Sequence, residues 1–192
     1  MVGTADEGGR RRRFGRIALW GIASLLVLLS LVAMQVSDGV AWDGTDVALI
    51  AIMLFGACAA YELAARASGS IAYRAAVAVA LLTACCLIWI TLAVGIIGAE
   101  SDPANRMYGG VLAIGILGAF IVRFRPRGMA YAAAVTALAQ VAVGVIALIA
   151  GLGSSGANWP GVIVVLTGSF AALWLVSAWL FRKAARERPS PP

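Results

Sequence analysis

Apolar segments long enough to cross a membrane recur along this chain of 192 residues, and no other feature constrains its fold as strongly. A helix rises about 1.5 Å per residue, so roughly 20 apolar residues span a hydrocarbon layer about 30 Å thick. Apolar residues make up 62% of the chain and charged residues only 12%, so a soluble domain would lack the polar surface needed to cover itself. The sequence therefore predicts an all-α membrane protein, a bundle of six transmembrane helices.

Turn and capping residues separate the predicted spans. We expect the helices at about 17–36, 46–67, 73–98, 103–124, 129–151 and 158–181. Ser70, Asp102 and Asn158 are predicted helix N-caps, because a short polar side chain there can accept a hydrogen bond from an unpaired backbone amide.

The expected domain organisation is simple. The chain is predicted to consist of a disordered basic cytoplasmic tail at 1–15, a single six-helix transmembrane domain at 16–182 and a cytoplasmic tail at 183–192. A cleaved signal peptide is the alternative for the first apolar segment. That segment is long for such a role, and no clear cleavage motif follows it.

Basic residues are distributed unevenly between the two sides that these spans would connect. If both termini are cytoplasmic, 14 of the 15 lysines and arginines lie on the inner side and only Arg106 lies on the outer side. Cytoplasmic loops are enriched in lysine and arginine, so the asymmetry predicts cytoplasmic termini. It also accounts for the pI of about 9.9 without a nucleic-acid partner. The expected partner is the lipid bilayer.

Small residues mark two adjacent spans as packing surfaces. The third and fourth spans each carry a G-x-x-x-A pattern, which lets helix backbones approach closely in lipid. The residues concerned are Gly95, Gly98, Ala99, Gly115, Gly118 and Ala119. We expect the two spans to pack through them.

Another small-residue face, in the fifth span, includes an amide. Spacings of four and three residues place on one side of the helix Ala133, Ala137, Gln140, Gly144, Ala147 and Gly151. Such a face must contact protein, and two interpretations are open for Gln140. In one it lines a pocket for a solute. In the other it forms an interhelical hydrogen bond with Thr83, Thr91, Thr167 or Ser169.

Other polar candidates lie at the ends of the spans. Glu62 and Arg66 are four residues apart, the spacing of a helix-end ion pair, and Glu100 and Asp102 lie in the loop before the fourth span. A gate at Glu62, or a divalent cation held by outer carboxylates, is the functional alternative to structural or solvated roles. The spacing of the acids matches no calcium loop.

The residue types present exclude most catalytic chemistry. Histidine is absent, which removes most haem, zinc and copper sites and the commonest general base. All three cysteines lie inside apolar runs, where cysteine packs as a small apolar residue. The arrangements typical of intramembrane proteases are missing too. We therefore expect no catalytic, cofactor or metal site and no enzymatic activity.

Several segments resemble a known family. They are YELAAR at 61–66, IAYR at 71–74, WITLAVGIIGAESDPANRMY at 89–108, RFRPRGMA at 123–130 and AALWLVSAWLFR at 171–182. Together they are similar to a family of uncharacterised bacterial multi-pass inner-membrane proteins, with DPAN as the most specific motif. The resemblance implies a bacterial inner-membrane location and no particular activity.

Two functional hypotheses follow. The first is a non-enzymatic accessory or assembly protein that docks on a partner membrane protein, or on a second copy of itself, through its glycine and alanine faces. The alternative is a transporter or channel for a small neutral or apolar solute, with Gln140 lining the path. The deep part of the spans contains no charged residue, which argues against ion-coupled transport.

Overall fold

Helices account for all regular secondary structure in the described part of the chain. The computed structural model describes residues 20–25, 27–28, 44–156 and 158–187. Its long helices are α1 Gly44–Ala67, α2 Ile71–Ala93, α3 Met107–Ile121, α4 Pro126–Ile149 and α5 Gly161–Arg186, with a 3₁₀ turn at Pro103–Arg106 before α3. In these residues, five helices are long and apolar enough to cross a membrane, α3 being counted together with its 3₁₀ turn.

The predicted class is confirmed at the level of an all-helical chain with several helices able to span a membrane. Residues 20–25 and 27–28 are also helical, but most of the first predicted span lies outside the described residues. The count of six helices and the side on which the termini lie therefore stay predictions.

Internal contacts divide the chain into two compact units, Met1–Ala67 and Ser68–Pro192. In the first unit, Trp20 stacks on Phe55 of α1 with ring centroids 5.9 Å apart. The division falls at the turn between α1 and α2, and the single domain expected over 16–182 stays a prediction. The nearly uniform spacing of the apolar runs gives no sign of the division.

The second unit is built around α5, which packs against both α2 and α4, while α3 packs against α4. The helices α2 and α5 are antiparallel. Tyr73 of α2 meets Phe181 edge to face at 5.3 Å, and the Ser177 hydroxyl donates to the Ala76 carbonyl at 3.0 Å. Large apolar side chains cover the outside of the helices, as at Ile149, which is 82% exposed. Such an outer surface suits lipid as the surrounding solvent.

The connection between α2 and α3 leaves helical geometry early. α2 ends at Ala93, and Gly95 and Gly98 follow with φ of 78° and 66°. These left-handed angles are strained for residues with a Cβ and stop the helix. Gly95, Gly98 and Ala99 are thus not on a helix, and the prediction that they form one arm of a helical packing seam is wrong.

The Asn105 side chain forms hydrogen bonds with backbone groups of this connection, which have left the helix and its regular hydrogen-bond pattern. Its Oδ1 accepts from the amides of Ile96 and Ile97, both at 3.0 Å. Its Nδ2 donates to the carbonyls of Ile97 at 3.1 Å and Ala99 at 2.8 Å. Asn105 is only 4% exposed, and a buried backbone group without a partner is costly, so this amide holds the connection in place.

A second loop packs directly on the connection. A Cβ added at Gly98 would lie 3.2 Å from the Cα of Gly153, in the loop between α4 and α5. Gly153 also has a left-handed φ of 72°. The two loops therefore approach backbone to backbone, and together with the buried side chains of Ile96 and Ile97 they cover this end of the four helices.

Two of the three predicted caps are confirmed. The Ser70 hydroxyl accepts from the Tyr73 amide at 3.3 Å, and Asp102 accepts from the Ala104 amide at 2.9 Å. Asn158 is not a cap, because α5 starts two residues later than a cap at Asn158 requires, with Pro160 at the capping position and no side-chain hydrogen bond.

Two other boundaries also differ from the expected ones. α4 begins at Pro126 rather than near residue 129, since proline fits the first turn of a helix. α5 continues to Arg186, into the segment expected to be a tail, because residues 182–188 contain no proline or glycine and cations suit a helix C-terminus.

Glycines lie where the helices of the second unit approach most closely. A Cβ at Gly115 would lie 3.2 Å from the Thr136 hydroxyl, and one at Gly118 would lie 3.0 Å from the Ala132 Cβ. At Gly144 it would lie 2.7 Å from Cγ2 of Thr167. Ala137 is buried and Ala119 is partly buried. The glycines of α3 and α4 that were predicted to pack helices therefore do so inside the chain.

We expect Asn105→Ala to destabilise the protein by at least about 2 kcal/mol, because each buried polar group left unpaired costs about 1–3 kcal/mol. Thermal unfolding of the full chain in a mild detergent measures the change. Asn158→Ala is the matched control, since Asn158 is exposed and caps no helix. Equal melting temperatures for the two variants would contradict the role of Asn105.

We expect Gly144→Ala to destabilise the protein by about 1–3 kcal/mol, since the new methyl group overlaps Thr167 at a helix contact. Gly168→Ala is the control, because a Cβ there meets nothing within 4 Å. That control should unfold at or slightly above the temperature of the unaltered chain. A stabilised Gly144→Ala protein would show that α4 and α5 do not pack at this contact.

Candidate functional site

The interior of the second unit contains polar side chains whose hydrogen-bonding atoms have no partner in the described chain. Those we call the interior polar group are Tyr108, Gln140, Thr167 and Trp174. Their exposed fractions range from 0% at Gln140 to 8% at Thr167. Buried polar atoms in proteins are nearly always hydrogen-bonded, so this group needs a physical explanation.

Gln140 lies near the middle of α4, on the small-residue face that the sequence indicates. Ala133, Ala137, Gly144 and Ala147 of that face are buried, and Gly151 after the helix is partly buried. Both the Oε1 and the Nε2 of Gln140 lack a hydrogen-bond partner in the described residues. The Gln140 amide is therefore buried, and it forms no hydrogen bond to another described helix.

The interhelical hydrogen bond considered for Gln140 is not formed. The Thr83 hydroxyl donates instead to the Val79 carbonyl of its own helix at 2.7 Å. Ser169 is exposed on α5. The hydroxyls of Thr91 and Thr167 have no hydrogen-bond partner in the described chain. The interpretation of Gln140 as a helix-joining residue requires one of these four hydrogen bonds, and the structure contains none of them.

Tyr108 and Thr167 bring two hydroxyl groups together at the start of α3. The Tyr108 hydroxyl interacts with the Thr167 side chain, although the two do not meet the geometry of a full hydrogen bond. Thr167 rests on Gly144, one helical turn along α4 from Gln140. Because Gly144 has no side chain, the hydroxyl of Thr167 can sit close to the α4 backbone.

Trp174 extends the group along the interface between α4 and α5. These helices form a hairpin, and Gly144 meets Thr167. Ala137 lies seven residues before Gly144, and Trp174 lies seven residues after Thr167. In an antiparallel hairpin the two are therefore at about the same level along the helix axes. Gln140 lies between the two levels. The Trp174 indole Nε1 is thus a buried donor on the same interface as the Gln140 amide.

The interior polar group is neutral and carries both donors and acceptors. Gln140 supplies two N–H donors and a carbonyl acceptor, the hydroxyls of Tyr108 and Thr167 can do either, and Trp174 donates. Leaving one such group unpaired costs about 1–3 kcal/mol in a protein interior. These side chains have the hydrogen-bonding chemistry that a small uncharged molecule with both donors and acceptors would match. Without an opposite charge, the burial of an ion there would be far more costly.

The other predicted site residues lie elsewhere. In the first unit, Arg66 pairs with Glu62 at 2.7 Å, and Glu62 also accepts from the Trp20 indole at 3.2 Å. The Arg66 side chain is 65% exposed, so this ion pair contributes little to stability. In the second unit, Glu100 is exposed and Asp102 caps the 3₁₀ turn. Among the described residues, no three acidic, cysteine or histidine side chains cluster as metal ligands would.

Two members of the interior polar group are not foreseen from the sequence. Tyr108 stands near a span end, a position where tyrosines commonly face the membrane interface, but its side chain is only 1% exposed. Trp174 lies within an apolar run, where its residue type alone does not distinguish it from its apolar neighbours. A signal exists in α5, where residues 167, 170, 174, 177 and 181 recur at spacings of three and four and are all buried.

Comparison of the chain with protein-family models, with curated proteins and with solved structures finds no match.

We expect Gln140→Leu to leave the melting temperature of the washed, detergent-solubilised chain unchanged or raise it. The substitution removes an unpaired amide from the interior and keeps its approximate volume. Ser177→Ala is the contrast, because it breaks the interhelical bond to Ala76 and should destabilise the protein by about 1 kcal/mol. A larger loss for Gln140→Leu than for Ser177→Ala would show that Gln140 has a protein partner.

Proposed function

We propose that the chain is a bacterial inner-membrane protein with six spans and both termini in the cytoplasm. The described helices able to cross a membrane support the multi-pass class. The apolar run at 17–36 supplies the sixth span, and the uneven distribution of arginine and lysine supports the orientation. The bacterial inner-membrane location has its support in the family resemblance alone.

We propose that this protein is non-enzymatic and binds a small neutral solute in the second unit, acting as a transporter or channel for it. The observation that carries this proposal is the unpaired amide of Gln140, buried among helices together with Tyr108, Thr167 and Trp174. Donors and acceptors there match urea-like, amide or alcohol solutes. Purely apolar solutes would leave the same atoms unpaired, so we favour a solute that forms hydrogen bonds.

An accessory or assembly role is less well supported. It was motivated by glycine and alanine faces available to a partner, but Gly115, Gly118 and Gly144 are occupied by contacts inside the chain. Gly95 and Gly98 lie in the irregular connection. A docking surface would therefore have to come from other residues.

The test is solute flux into proteoliposomes that contain the purified full chain, measured by stopped-flow light scattering with urea, acetamide and glycerol. We expect faster entry of at least one solute than into protein-free vesicles. Gln140→Leu should reduce that protein-dependent flux about tenfold or more, the effect of losing one good hydrogen bond in a dry site.

Leu138→Ala is the matched control, because Leu138 is on the same helix and 70% exposed. Its flux should equal that of the unaltered protein. Flux at the level of protein-free vesicles for all three solutes, with the protein folded, would overturn the proposal. So would equal flux through the unaltered chain and through Gln140→Leu.

A further inference from the structure

Six exposed cationic side chains lie at the end of the second unit opposite Asn105. Three belong to the turn between α3 and α4 and the first residues of α4, and three belong to the last turns of α5. They are Arg123, Arg125, Arg127, Arg182, Lys183 and Arg186. We call this group the arginine end.

Tyr73 holds the two halves of the arginine end together. Its hydroxyl donates to the Phe124 carbonyl at 2.9 Å, and its ring meets the Phe181 ring at 5.3 Å. Phe124 lies between Arg123 and Arg125, and Phe181 precedes Arg182. Since Tyr73 is only 3% exposed, the two sets of cations flank one buried side chain instead of lying on independent loops.

The turn that carries the first set is conformationally strained. Arg123 and Phe124 have φ of 51° and 56°, left-handed values that are unfavourable for residues with a Cβ. The Phe124 amide donates to the Ala119 carbonyl at 3.1 Å, which fixes the turn. Glycine would adopt these angles at no steric cost. Strain of this kind is typical of sites where the side chain has a use, and the Arg123 side chain is exposed.

Acidic side chains do not neutralise this charge. At this end of the described second unit the only carboxylate is Glu187, which accepts from the Ser70 hydroxyl at 2.8 Å. None of the six cations forms an ion pair within the described residues. Six positive charges thus face the surroundings with one carboxylate among them, and a matching partner must be anionic.

We propose that the arginine end binds the headgroup of an anionic phospholipid with two phosphates, of the cardiolipin type. Arginine pairs with phosphate through two parallel hydrogen bonds, and two groups of three cations match two phosphates. Apolar side chains close to these cations can contact the acyl chains, since Ile121 is 79% exposed and Trp179 is 61% exposed. The Lys183 ammonium lies 5.9 Å from the Trp179 ring centre, at the border between charged and apolar surface. This binding does not depend on the proposed solute.

The experiment uses the purified full chain in a neutral detergent, mixed with cardiolipin or with phosphatidylcholine, and counts retained lipids by native mass spectrometry. We expect retention of cardiolipin well above that of phosphatidylcholine, decreasing as salt is raised. The combined variant Arg123→Gln, Arg125→Gln, Arg127→Gln should retain at least about fivefold less cardiolipin. Arg106→Gln is the control, because Arg106 lies at the other end of the unit, and it should retain as much as the unaltered chain.

Three results would overturn the proposal: equal retention of the two lipids by the unaltered chain, no dependence on salt, or full retention by the triple variant. Inorganic phosphate at millimolar concentration should not displace the lipid, and displacement would show a site for free phosphate instead. If the triple variant does not fold, the first two measurements on the unaltered chain decide. The corresponding lysine variant keeps the charge but not the paired hydrogen bonds, so it should retain less cardiolipin than the unaltered chain and more than the glutamine variant.

Discussion

Backbone groups that are removed from water must find partners inside the chain, and the second unit depends on how this is achieved where a helix stops. Between α2 and α3 the main chain turns inward, and the Asn105 amide bonds four backbone groups. A side chain there needs both an acceptor and two N–H donors, which only asparagine and glutamine provide without charge. Ile97, one of the residues bonded to Asn105, is buried, and the next residue, Gly98, approaches Gly153.

The two buried amides of the second unit differ sharply. Asn105 and Gln140 are 4% and 0% exposed, yet the first is fully bonded and the second has no partner in the described chain. A bonded amide fixes structure, and its removal leaves other groups unsatisfied. An amide without a partner in the described residues adds no hydrogen bond to the fold, which is why the proposed solute site is built on Gln140. The contrast between equally buried residues distinguishes the structural site from the candidate functional one.

Hydropathy and turn chemistry predict the helices well, because length and apolar composition are local properties. Ser70 and Asp102 are recognised as caps for the same reason. The end of α2 is not predictable in this way, since VGIIGA suits a helix or a buried loop equally, and the choice depends on Asn105 several residues later. The face of Gln140 is predictable from spacing, but its lack of a partner depends on which side chains α5 presents. When a helix is apolar on every side, its sequence does not indicate which side faces the neighbouring helix.

The α3 and α4 helices are joined by only the four residues 122–125, two of them left-handed. So short a joint keeps the two helices as antiparallel neighbours and places Arg123 and Arg125 together at the bend. In a membrane, both arginines would lie on one side, together with the end of α3 and the start of α4. The side on which this one bend remains would therefore set the direction of two helices at once.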